Sequence, residues 1–147
     1  MGRGNRAAAL VGKLALLAIL AACGRGTKDA VPLENLTAEQ IYQKGESALA
    51  SERKAKSAVK YFSEVERLYP YSEWAKRALI MEAYGYHKDR DYENSRSAAQ
   101  RYIDTYPADE DAAYAKYLLA LSYYDQIEEV GRDQGLTFQA LQALRAV

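Results

Sequence analysis

The chain is short of the residues that build reactive centres. One cysteine, Cys23, in 147 residues excludes a disulfide within the chain. One histidine, His87, rules out a multi-histidine metal site. No glycine-rich phosphate loop and no zinc-ligand spacing occurs. A nucleophile–base–orienter set cannot be assembled either, so the reading is a non-enzymatic protein with no cofactor and no metal. Excess charge of one sign is missing too, with 20 Lys and Arg against 20 Asp and Glu. Arg3, Arg6 and Lys13 fall in the first 22 residues, which hold no acid. The remainder is therefore mildly acidic, and nucleic acid is not an expected partner. Long apolar runs are absent. Leu14–Leu20 is the most apolar stretch and falls far short of the ~20 residues of a spanning helix. No segment alternates convincingly with period two, so no sheet is expected.

What the sequence does have begins at the N-terminus. A basic start, an apolar stretch and small residues read as a secretory signal over residues 1–22. Leu20-Ala21-Ala22-Cys23 resembles the lipobox of bacterial lipoproteins. That resemblance implies cleavage before Cys23, a diacylglycerol on its thiol and an acylated new N-terminus. Each buried CH₂ contributes ~0.8 kcal/mol, and stable anchoring needs more than one chain. Gly24, where an inner-membrane lipoprotein would carry Asp, resembles outer-membrane cargo. Residues 23–35, with Gly24, Gly26 and Pro32, read as a lipidated flexible tether.

From residue 36 to 147 the pattern is helical. Thr37 and Gln40 form a capping box, with Leu36 and Ile41 as a hydrophobic staple. Ile41, Gly45, Ala48 and Leu49 keep helical spacing, as do Ala58, Tyr61, Phe62, Val65, Leu68 and Tyr69. Pro70 stops the second helix and Ser72 caps a third that carries Leu79, Ala83 and Tyr86. "HKDRD" reads as a polar break with Asp91 as the next N-cap. A fourth helix carries Ala98, Ala99, Tyr102, Ile103 and Tyr106 and stops at Pro107. Asp109-Glu110-Asp111 opens a fifth, acids first as the helix dipole favours. "EEVGRDQG" reads as a loop, and Thr137 as the cap of a sixth helix.

The Tyr-Pro steps at Pro70 and Pro107 lie 37 residues apart, and each is followed by a helix start. A helix–turn–helix period of that length means stacked hairpins, because one hairpin cannot bury its apolar face alone. The pattern resembles the tetratricopeptide repeat. Gly45, Ala48, Ala58, Phe62 and Pro70 match it first, then Ala83, Tyr86, Ser95, Ala99, Tyr102 and Pro107, then Ala120 and Tyr123. The fold class is therefore an all-α hairpin solenoid of about two and a half repeats.

A lipobox, a polar tether and Ile41-Tyr42 opening such repeats together resemble the BamD family of the β-barrel assembly machinery. The segment "ALIMEAYGYHKDRDYENSRSAAQRYIDTYP" carries the resemblance most strongly, with "YAKYLLALSYYDQI" after it. The resemblance implies an outer-membrane lipoprotein scaffold that faces the periplasm. It also implies partners: barrel precursors, through their C-terminal strand, and other Bam subunits. Five repeats are usual in that family, so the surface that docks on a BamA POTRA domain is expected to lie outside this chain. A lipoprotein scaffold for cell-wall synthesis or division is the alternative client within the same class.

The repeat register places a peptide-binding groove on the first helix of each hairpin. Tyr42, Glu46 and Leu49 come from the first. Arg77, Ile80, Tyr84, His87 and Lys88 come from the second, and Tyr114, Tyr117, Leu121 and Tyr124 from the third. A barrel strand ends in an aromatic ring and a free carboxylate. Tyrosine faces suit the ring, and Arg77 or Lys88 suits the carboxylate. Tyr61, Tyr69, Tyr102 and Tyr106 read as packing residues.

Overall fold

Thr37 starts the first helix as its sequence dictates. Its hydroxyl accepts from the Gln40 amide at 3.2 Å, and the Gln40 side chain accepts from the Thr37 amide at 3.0 Å. The computed structural model describes residues 31–51, 54–127 and 134–147. Cys23, the signal segment and most of the expected tether lie outside the described residues, as does most of the "EEVGRDQG" loop. Residues Leu33–Val147 form one compact unit. That unit begins earlier than the expected tether boundary at residue 35. Leu33–Asn35 forms a 3₁₀ turn, and Leu33 packs against the first core.

Six α-helices follow among the described residues: α1 (Ala38–Leu49), α2 (Ala55–Leu68), α3 (Glu73–Lys88), α4 (Tyr92–Thr105), α5 (Ala112–Tyr124) and α6 (Gly135–Arg145). No strand occurs among the described residues. The caps explain most of the boundaries. The Ser72 hydroxyl accepts from the Ala75 amide, and the Asp91 carboxylate accepts from the Asn94 amide. Helix α2 ends two residues before Pro70, and α4 ends two before Pro107. Helix α3 runs through His87 and Lys88, so the polar break is narrower than the sequence reading had it. It narrows to a Schellman turn in which the Arg90 amide donates to the His87 carbonyl and the Asp91 amide to the Tyr86 carbonyl. Arg90 sits there at φ 62°, the left-handed conformation that usually selects glycine. Thr137 does not cap α6. The Phe138 amide already donates to the Gln134 carbonyl, so the helix starts at Gly135 and Thr137 lies within its first turn.

Each helix packs on its neighbours in the chain, and α1–α3 and α3–α5 touch as well. The result is three stacked pairs, α1/α2, α3/α4 and α5/α6, the tetratricopeptide arrangement. Two cores fill it. Ile41, Tyr42 and Leu49 of α1, Phe62 and Val65 of α2 and Ala78 of α3 form the first. Leu79, Ile80 and Ala83 of α3, Ala98, Ala99 and Tyr102 of α4, and Ala115 and Leu118 of α5 form the second. Fully burying a Phe or Leu contributes ~1.5–3 kcal/mol. Close approach explains the small residues. A Cβ on Gly45 would lie 2.6 Å from Phe62 Cε1, and one on Gly85 would lie 2.8 Å from Val59 Cγ2.

Candidate functional site: an aromatic face on α1, α3 and α5

The first helices of the three pairs share one face, and the aromatic residues divide into three environments there. Tyr42 is only 8% exposed. Its ring lies between Phe62, at a centroid distance of 5.4 Å, and Trp74, at 5.1 Å. Leu49 and Ile80 are buried in the cores as well. These three groove candidates are packing residues, because Tyr42 and Leu49 fill the first core and Ile80 the second. The Tyr42 hydroxyl is raised above the ordinary phenol value by burial, then by Glu46; Arg77 opposes this.

Arg77 is exposed and extends over Trp74, with its guanidinium carbon 5.2 Å from the ring centroid. That geometry is a cation–π contact. Arg77 makes no ion pair among the described residues. Its charge is available to an incoming anion.

Tyr84, Tyr114 and Tyr117 make the second group. The Tyr114 and Tyr117 rings stack at 6.3 Å with 27° between their planes. Burial raises the Tyr114 hydroxyl above the ordinary phenol value, and Tyr84 and Tyr117 add to it. Tyr114 and Tyr117 are 41% and 43% exposed, and Tyr84 is half-buried. Tyr124, at the end of α5, is also exposed. These rings offer flat apolar faces with polar edges, which suits them to bind aromatic or aliphatic side chains.

His87 and Lys88 form the third group, and both are engaged. His87 Nε2 lies 2.9 Å from Asp125 Oδ2, and its ring meets Tyr92 edge-on at 5.4 Å. The Lys88 ammonium donates to the Leu49 carbonyl at 3.0 Å. Helix α3 thereby ties down the C-terminal ends of both α1 and α5. Lys88 is thus a helix-end staple, whereas Arg77 carries no ion pair among the described residues.

A profile of the family described as YfiO, outer membrane lipoprotein, matches residues 34–147. This chain belongs to that family. Three curated relatives agree, each named outer membrane protein assembly factor BamD. The protein of Caulobacter vibrioides is 38% identical over 144 residues, which is 97% of this chain and 47% of that protein. The protein of Rickettsia prowazekii is 36% identical over 67% of this chain and 39% of its own length. The Neisseria gonorrhoeae protein is 29% identical over 75% of this chain and 42% of its own. The chain thus spans about half the length, or less, of the YfiO-family relatives it matches. No helix among the described residues is long and apolar enough to cross a membrane.

Sequence reasoning missed several residues that shape this face. Trp74 props up Arg77, yet a lone tryptophan near a helix start carries no periodic signal. Asp109 was read as part of an acidic helix start. It accepts from the Tyr102 hydroxyl at 2.6 Å and from the Lys76 ammonium at 2.7 Å, which fixes the turn before α5. Lys76 holds its carboxyl down at about 2, helped by Tyr102 and the Asp111 amide. Arg96 lies over Tyr123, 4.7 Å from its centroid, and donates to the Ser122 carbonyl and to Gln126. The Lys76–Asp109 contact and those of Arg96 join residues 26 to 33 positions apart and follow no local rule.

Proposed function

We propose that this chain is the precursor-receiving part of a non-enzymatic outer-membrane protein assembly factor. Cys23 anchors it by lipid to the outer membrane, and the repeats face the periplasm. Its relatives' shared name supports that role, and the other Bam subunits are its stable partners. The exposed pair Tyr114–Tyr117, with the unpaired Arg77 on the same set of first helices, carries the reading. A barrel precursor's C-terminal strand would set its aromatic ring against Tyr84, Tyr114 and Tyr117, with Tyr124 at the edge. Its carboxylate would pair with Arg77 in a charge-assisted bond.

Anisotropy titration of a labelled C-terminal strand peptide into the chain tests this. Binding should need both the terminal aromatic and the free carboxylate. Tyr117→Ala should weaken it about tenfold by removing ring contact worth ~1–1.5 kcal/mol. Arg77→Met should weaken the free acid but not the C-terminal amide. Equal affinity for a scrambled peptide would refute the groove. Lipid anchoring has its own test. Cys23→Ser should leave the membrane fraction, and continued membrane association would refute the anchor.

A further inference from the structure

Three helices from two hairpins bring two carboxyl groups and one cation together on the side of the stack formed by α2 and α4. Glu66 comes from α2, Glu82 from α3 and Arg101 from α4. An Arg101 terminal nitrogen lies 3.0 Å from Glu82 Oε2 and 3.5 Å from Glu66 Oε2. The Glu82 side chain is only 8% exposed. Glu66 Oε1 is buried, and among the described residues no donor reaches it.

One half-exposed cation cannot neutralise both the buried Glu82 carboxylate and the half-buried Glu66 one, and an uncompensated buried charge is strongly unfavourable. A charged carboxylate oxygen in the Glu66 position needs a donor. A protonated one needs only an acceptor, and the Glu82 carboxyl is within hydrogen-bonding reach of the Glu66 side chain. The closer ion pair with Arg101 makes Glu82 the charged member. We propose that Glu66 is protonated at neutral pH and donates to the Glu82 carboxylate, so that a single proton clasps the first hairpin to the second.

The surroundings support the arrangement. Burial, then the neighbouring Glu82, pushes the Glu66 carboxyl up to about 8, with Arg101 opposing. From α3, Tyr86 also faces Glu82, and its hydroxyl is raised by burial first and then by Glu82 and Asp91. From α4, the small pocket of about 170 Å³ beside Glu66 and Arg101 adds Thr105 and Tyr106. None of these supplies a second positive charge. The clasp involves no residue of the aromatic face and stands independently of the proposed function.

The sign of the pH effect follows. Glu66 holds its proton more tightly folded than unfolded, so the folded chain binds more protons between about 4.5 and 8. Stability is then fully present below the lower value and falls as pH rises toward the upper one. The folding constant should drop by up to about tenfold for each pH unit across that window.

Urea unfolding of the full chain and of Glu66→Gln from pH 5.5 to 9 tests the clasp. The carboxamide keeps a neutral donor toward Glu82 and cannot ionise. The two chains should have similar folding constants at pH 5.5, and Glu66→Gln should exceed the natural chain by more than tenfold at pH 9. A ratio that stays constant across the range overturns the proposal. Every other ionisable group is common to both chains and cancels in the ratio. A second measurement needs no substitution. In the natural chain, the ¹³C side-chain carboxyl resonances should show one glutamate titrating near pH 8. If every glutamate titrates below about pH 6, the proposal fails.

Discussion

The Ser122 hydroxyl lies 2.8 Å from Ser95 Oγ, and Ser95 in turn donates to the Ala83 carbonyl at 2.9 Å. Both serines are fully buried. Together they run a polar line from α5 through α4 to α3 inside an otherwise apolar stack. Ser122 also has the Leu118 carbonyl of its own helix within 2.8 Å, so its single proton always finds an acceptor.

That asymmetry predicts unequal effects. Ser95→Ala removes the donor to the Ala83 carbonyl and the acceptor for Ser122. It should destabilise the chain by about 1–2 kcal/mol. Ser122→Ala leaves the bond from Ser95 to Ala83 intact and should cost less, about 0.5–1 kcal/mol. Urea midpoints of the two variants at one pH decide the order. A larger effect for Ser122→Ala would contradict the direction of the relay.

Gly45 tests close packing. Alanine would gain about 1 kcal/mol of helix propensity, but its Cβ would meet the Phe62 ring at 2.6 Å. Phe62 is fully buried and packed by Tyr42, so it has little room to turn. Gly45→Ala should be destabilising by a net ~1–2 kcal/mol. Phe62→Leu should cost less in the Gly45→Ala background than in the natural chain, and a double-mutant cycle measures that coupling.

Arg90 predicts a gain. Its φ of 62° costs an L-residue roughly 1–2 kcal/mol, partly offset by the greater unfolded-chain entropy of glycine. Arg90→Gly should raise stability by about 0.5–1 kcal/mol, seen as a higher thermal midpoint with helix content unchanged by circular dichroism.

Asp109 sets an acid limit. Its carboxyl is held down to about 2 by Lys76, Tyr102 and the Asp111 amide. A lowered carboxyl stabilises the fold above its unfolded value of 3.8 and loses that contribution as pH falls toward 2. The natural chain should therefore exceed Asp109→Asn in stability at pH 7, and the difference should close between about pH 4 and 2. An equal gap at pH 7 and pH 2 would show that the carboxylate charge is irrelevant.

The local grammar of the fold was readable in the sequence. Thr37 with Gln40, Ser72, Asp91 and the two Tyr-Pro steps act within four residues of themselves, and the structure uses each of them as read. The small positions were readable as well, because Gly45, Ala58, Ala83 and Ser95 keep the repeat register and all are buried. The face itself was only half legible. Periodicity assigned Tyr42, Ile80 and Tyr114 to one side of their helices, but it does not say how deep each lies. Depth depends on the spacing between α1, α3 and α5, which distant contacts set. Lys88 with Leu49 and His87 with Asp125 are such contacts. Thr137 misled for a local reason: threonine is a good cap but is also tolerated inside a first turn.

Ala78 and Leu79 are consecutive in sequence and belong to different cores. Helix α3 is therefore common property of the two cores, and neither can melt without taking its middle helix from the other. The array should then yield as one body under load, not spring by spring. Amide protons in the centre of α3 should outlast those of every other helix in exchange, setting the point about which the rest of the stack flexes.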